Sequence, residues 1–162
     1  MKKISAELIK DARELAEKYY SQGKYLCSEA VLSAVNEVLD CGMPQEYVRL
    51  ASGFPVGMGG SGCSCGAVTG GQCAIGLVNG RSKPGGNNKK VMKLSKQLHD
   101  RFKEKYKSVC CRVLIKDYKF GSKGHIERCT KVTGETCQMV MEILMENQGI
   151  LSKISFLTDK DR

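Results

Sequence analysis

Residues 27–39, Cys27-Ser28-Glu29-Ala30-Val31-Leu32-Ser33-Ala34-Val35-Asn36-Glu37-Val38-Leu39, decide the fold class. Cys27, Ala30, Val31, Ala34, Val35, Val38 and Leu39 recur in steps of three and four, which is one stripe of a helix. Gly42 and Pro44 close that helix and open another. Upstream, Ile4, Leu8, Ala12, Leu15, Ala16 and Tyr19 follow the same spacing until Gly23. Downstream, Tyr47, Val48 and Ala51 predict a short third helix, stopped by Gly53. Residues 53–66 then hold six glycines, a loop whose backbone is free for positive φ and close approach.

After the loop, Gly66, Gly70 and Ala74 recur every fourth residue and leave a groove of small side chains, with Ala67, Ile75, Leu77 and Val78 supplying apolar bulk. No alternation of period two appears, so the segment reads as a helix despite its glycines. A Gly/Lys/Pro/Asn turn from Gly80 to Asn88 precedes a long amphipathic helix marked by Val91, Leu94, Leu98, Phe102 and Tyr106. Cys111, Leu114, Ile115 and Tyr118 mark a shorter one. Beyond a polar turn at Gly121 to Gly124, the last clear helix carries Val132, Thr136, Cys137, Val140, Met141, Leu144 and Met145, followed by a tail of Ile150, Leu151, Ile154 and Leu157. The expected architecture is all-α, a single domain of six to seven helices with a glycine-rich loop.

Composition agrees and excludes other classes. The chain has 162 residues, 41% hydrophobic and 27% charged, with no Trp and only three Pro, which suits one ordinary core rather than a sandwich of short strands. Its apolar runs are too short to span a membrane, and Met1-Lys2-Lys3 leads into a charged amphipathic stretch rather than a signal-peptide core, so a cytoplasmic protein is expected. Nine cysteines are many for a reducing compartment, where thiols more often serve metals or redox chemistry than a disulfide framework.

The formal net charge of +9 is uneven, because residues 81–131 hold 16 basic and 4 acidic side chains. A nucleic-acid module would use those Lys and Arg on phosphates and stack bases on Phe102, Tyr106, Tyr118 and Phe120. Phe102 and Tyr106 fall on the apolar stripe, however, so a solvated basic face is the plainer reading, and an acidic redox partner protein gains from it more than nucleic acid does.

The strongest local feature is Gly62-Cys63-Ser64-Cys65-Gly66-Ala67-Val68-Thr69-Gly70, where a cysteine leaves the glycine loop at a helix start. A thiolate there faces unpaired N–H groups and the positive end of the helix dipole, which favours a lowered pKa for Cys65. Gly57, Gly59 and Gly62 also match the spacing of a dinucleotide-binding loop. The match lacks the preceding strand and the acid about 20 positions on, so it carries no weight. His99 and His125 are the only imidazoles; neither neighbours a cysteine in sequence, and both read as surface residues. No Ser/His/Asp or paired-carboxylate arrangement supports a hydrolase.

Cys65-Gly66-Ala67-Val68-Thr69-Gly70 resembles the core of the redox-active family named for its C_GCAxxG_C_C cysteine pattern. Cys27-Ser28-Glu29-Ala30-Val31 resembles that family's early cysteine, Cys111-Arg112-Val113-Leu114 its third, and Cys137-Gln138-Met139-Val140 its last. Cys129-Thr130-Lys131-Val132 has the same shape as the last, and Cys110 competes with Cys111. The resemblance covers about residues 6 to 146 and implies a small helical redox or iron–sulfur protein. On it, Cys27, Cys65, Cys111 and Cys137 form a Cys₄ site for an iron–sulfur cluster, with Gly62, Gly66 and Gly70 letting backbone N–H groups approach the sulfurs. Zinc in the same cage is the lesser choice, and without C-x-x-C-H no covalent haem is expected. The alternative without metal is a thiol/disulfide cycle with Cys65 and Cys27 as redox thiols, and Cys63-x-Cys65 as a strained pair. Self-association is left open. The remaining alternative is a basic binding module in which the cysteines only pack.

Overall fold

The computed structural model describes residues 2–147 and is all-α, with seven α-helices and no strand among those residues. They are α1 (Lys2–Ser21), α2 (Cys27–Val38), α3 (Pro55–Met58), α4 (Gly66–Asn79), α5 (Lys89–Tyr106), α6 (Cys111–Leu114) and α7 (Lys123–Glu146), with a 3₁₀ turn over Gln45–Ala51. The stretch expected as a short third helix is that 3₁₀ turn. The tail with Ile150, Leu151, Ile154 and Leu157 lies outside the described residues.

The stripe of residues 27–39 explains the centre of the fold. Ala30, Val31, Ala34 and Val35 are fully buried. The helix starts cleanly because the Leu26 N–H donates to the Glu29 carboxylate at 2.9 Å, satisfying one of the donors that every helix N-terminus leaves open. Against α2 lies α4, whose small residues let the backbones meet. A Cβ built at Gly70 would fall 2.3 Å from the Ser28 carbonyl oxygen, and one at Gly66 would fall 2.4 Å from Cys27 Sγ. Ser28 itself is fully buried, its hydroxyl donating to the Ala51 carbonyl at 2.8 Å.

Helix α7 packs on α1, α2, α4 and α5 and closes the core. Its inner face carries Val132, Cys137, Val140, Met141 and Leu144, and α5 contributes Leu94, Leu98 and Phe102. It begins at Lys123, nine residues before Val132, because the Ser122 hydroxyl caps it by accepting from the His125 N–H. The basic surface of α5 is a solvated, ion-paired face: Lys96 pairs with Asp100, Arg101 with Glu146, and Lys105 with Glu135. Phe102 is buried, and Tyr106 packs on it while donating its hydroxyl to Glu135, so two of the four aromatics needed for base stacking belong to the core. Among the described residues no helix is long and apolar enough to cross a membrane.

Candidate functional site: a cavity walled by four thiols

The glycine loop is where the backbone departs most from ordinary geometry. Val56 to Gly60 all have positive φ, at +55°, +70°, +66°, +67° and +87°, a left-handed turn immediately after Pro55. A β-branched residue such as Val56 adopts that region only when its surroundings impose it, at a cost of about 1–2 kcal/mol. Gly57 is obligatory on two counts, its φ and the 2.6 Å that would separate its Cβ from the Cys63 nitrogen. The end of the loop is tied to the segment before α6: Cys65 N–H donates to the Val109 carbonyl at 2.8 Å, and Cys111 N–H to the Cys63 carbonyl at 2.6 Å.

These constraints set Cys65 and Cys111 side by side on a cavity of about 60 Å³. Cys27 at the start of α2 and Cys129 on α7 bring the thiols on its wall to four, and Tyr20, Val56, Leu114, Phe120, His125 and Thr133 are among the other residues that line it. Four separate elements thus supply one sulfur each. Three of the four expected thiols, Cys27, Cys65 and Cys111, meet here. Cys137 does not line the cavity: it is fully buried, and its thiol donates to the Ala12 carbonyl on α1 at 3.3 Å. Cys110 also turns away, its thiol reaching the Gly62 carbonyl at 3.1 Å. Gly66 and Gly70 act by close packing on α2, and Gly62 lies against the Arg112 side chain. Of the wall residues, His125 is the one that the sequence reading placed on the surface. His125 is buried, not on the surface, and Phe120 covers it with a ring contact of 4.7 Å between centroids.

Three of the four thiols, Cys27, Cys65 and Cys129, have donors aimed at their sulfurs. The N–H groups of Val56 and Ser28 face Cys27, and those of Ala67 and Val68, in the first turn of α4, face Cys65. The Tyr20 hydroxyl donates to Cys129. His125 Nδ1 accepts from the Gly121 N–H at 3.3 Å, which leaves the proton of the neutral ring on Nε2, 3.7 Å from Cys129 Sγ. The Thr133 hydroxyl, fully buried on the same wall, has no partner among the described residues. His125, Cys129 and Thr133 follow each other at intervals of four along α7, and so share one face.

The helix-start argument for Cys65 meets a stronger opposing effect. Its two N–H donors do lower its pKa, but burial raises it more, and the neighbouring Cys27 and Cys111 sulfurs raise it further. Burial likewise pushes Cys27 up to about 11 and raises Cys111 and Cys129. In the metal-free chain the pocket therefore stores neutral thiols. The consequence for stability has a definite sign. The unfolded chain begins to lose its thiol protons near the ordinary value of 9.0 while the folded chain keeps them, so stability is complete below that pH and falls as pH rises toward about 11. Cys27 contributes a slope approaching about 1.4 kcal/mol per pH unit in that window, and the other raised thiols act in the same direction. Thermal unfolding of reduced, metal-free protein should be flat from pH 7 to 8.5 and drop steeply from 9 to 10.5.

An orphaned buried hydroxyl costs about 1–3 kcal/mol. Thr133→Val should therefore stabilise the metal-free chain by about 1 kcal/mol in urea unfolding. A loss of stability would show that the hydroxyl is already satisfied.

The family described as "Putative redox-active protein (C_GCAxxG_C_C)" matches residues 25–143, which span every wall of this cavity except Tyr20. The chain belongs to that family. No curated protein and no solved structure matches it. The family's own description is redox activity, and the group of cavity thiols is the part of this member suited to it.

The donor set also bears on what this cavity holds. Thiols are the ligands of zinc, copper(I) and iron–sulfur clusters. Among the described residues no three Cys, His, Asp or Glu side chains are placed to hold one metal ion. The same wall carries four sulfurs, N–H groups directed at sulfur and the unpartnered Thr133 hydroxyl.

Proposed function

We propose that the protein is an electron carrier whose centre is an iron–sulfur cluster held by Cys27, Cys65, Cys111 and Cys129. The observation that carries this reading is the convergence of four thiols from four separate elements on one apolar cavity. When bound, such a cluster supplies one-electron chemistry at a potential set by its surroundings. The chain's own residues perform the rest. The four thiols give up their protons on loading, so loading should strengthen as pH rises. The N–H groups of Val56, Ser28, Ala67 and Val68 stabilise negative charge on Cys27 and Cys65, the Tyr20 hydroxyl does so on Cys129, and Phe120 and Leu114 limit access of water. The test is anaerobic purification or reconstitution with iron and sulfide, followed by visible absorption and analysis of both elements. Brown protein with stoichiometric iron and sulfide, lost in Cys65→Ser, is the expected result. Colourless protein that takes up neither element would overturn it.

The second reading is a thiol/disulfide cycle without metal, favoured by the absence of a three-ligand group for a single ion among the described residues. It expects fewer than nine titratable thiols after mild oxidation and their full recovery on reduction. The four cavity thiols stay protonated near neutral pH, so a first attack by any of them on a disulfide arriving from solvent would be slow.

A further inference from the structure

Outside the cavity, the loop carries another arrangement of sulfur. Cys63 is exposed, yet its backbone is held on both sides: its N–H donates to the Gly57 carbonyl at 3.0 Å, and its carbonyl accepts the Cys111 N–H. Ser64 pairs antiparallel with Cys110, and Gly62 lies against Arg112 while accepting its N–H at 3.1 Å. This register sets Cys63 opposite Cys111. The bridge ends there, since Cys111 opens α6, but residues joined by a backbone N–H···O bond across such a bridge lie about 5.5 Å apart at Cα. That is inside the span of about 4.4–6.8 Å that a disulfide bridges. Gly57 lies against both, since its Cβ would fall 2.6 Å from the Cys63 nitrogen and 2.7 Å from Cys111 Cβ. The Arg112 guanidinium, donating to the Ser61 carbonyl at 3.0 Å, fixes a positive charge at this lip.

We infer that Cys63 and Cys111 form a dithiol that exchanges with anionic low-molecular-weight disulfides of the glutathione type, Cys63 attacking and Cys111 resolving. The Cys63 thiolate attacks one sulfur of the disulfide; the S–S bond breaks, one half joins Cys63 and the other leaves as a thiolate. Cys111, its proton passed to solvent, then attacks the Cys63 sulfur, the second half leaves as a thiolate, and a Cys63–Cys111 bond forms. Two protein thiols are oxidised, one disulfide is reduced to two thiols, and the two protons end on the leaving groups. Where the cavity holds a cluster Cys111 is occupied by it, so the exchange belongs to the metal-free chain. Its failure leaves the cluster reading standing, and failure of the cluster reading leaves the exchange standing.

The experiment treats the full-length, metal-free chain with glutathione disulfide and maps the products by mass spectrometry. The expected result is two glutathiones released per chain with a Cys63–Cys111 link. In Cys111→Ser one glutathione is released and one stays on Cys63. Cys63→Ser should slow release about tenfold or more, and keeps Cys111 intact should Cys111→Ser fail to fold. Cationic cystamine should react more slowly than glutathione disulfide, with Arg112→Gln narrowing the gap. A link to Cys110 or Cys65, a lasting glutathione adduct on Cys63 of the unaltered chain, or an unchanged rate in Cys63→Ser would overturn the inference. Equal rates with the two disulfides would overturn its anionic preference.

Discussion

Replacing Cys129 with serine should strip the anaerobically loaded chain of nearly all its iron and sulfide, whereas Cys137→Ser should leave both in place. The two residues sit on the same helix eight positions apart, about 12 Å along its axis and about 80° around it. Cys129 faces the cavity with Cys27, Cys65 and Cys111, while Cys137 faces α1 and bonds the Ala12 carbonyl. Serine at 129 keeps the helix but replaces a soft thiolate by a poor iron ligand. Serine at 137 can still donate to Ala12, so its cost is one of packing and hydration, about 1–2 kcal/mol in stability. Iron, sulfide and urea unfolding measured on both variants separate the two roles. Iron retained in Cys129→Ser and lost in Cys137→Ser would reverse the assignment.

The largest expected loss of stability is at Gly70. A methyl group there would lie 2.3 Å from the Ser28 carbonyl oxygen and 2.5 Å from its Cα, both backbone atoms that cannot swing aside. α4 would have to move off α2, carrying Cys65 away from Cys27. Gly70→Ala should cost about 3 kcal/mol, the upper part of the usual range for overpacking. For a chain of this size that lowers the melting temperature by roughly 6–12 °C. Gly76→Ala is the matched control, because it lies in the same helix with nothing within 4 Å of its added Cβ. It should stabilise by up to about 1 kcal/mol through helix propensity alone. Thermal unfolding of the pair therefore gives shifts of opposite sign if close approach of α2 and α4 is what Gly70 provides.

Much of this arrangement is legible in the residues themselves. Steps of three and four set α1, α2, α4 and α5, because apolar periodicity and burial are two views of the same helix face. The small-residue groove of α4 is equally direct, since Gly66 and Gly70 meet α2 where their spacing says a neighbour would approach. The start of α7 is less visible. Its first turns carry Lys123, Glu127, Arg128 and Lys131, and the inward face there is His125, Cys129 and Val132, of which only Val132 counts as strongly apolar. A helix read from Val132 makes Cys137 look like the cysteine that opens it. The interval of four between His125 and Cys129 was the available signal, and it pointed to one helix face. No local pattern announces Tyr20 as a donor to Cys129, because that contact depends on how α1 and α7 pack. The raised pKa of Cys65 was hidden for a related reason: the helix N-terminus is local, whereas the burial that outweighs it comes from the whole fold.

Iron K-edge X-ray absorption on the anaerobically loaded, full-length chain tests the proposed centre most directly. The account predicts an iron shell made of sulfur at about 2.3 Å, by analogy with zinc–thiolate bonds, together with a short iron–iron distance. A shell of nitrogen and oxygen with no iron–iron scattering, or no iron retained after reconstitution, would contradict it.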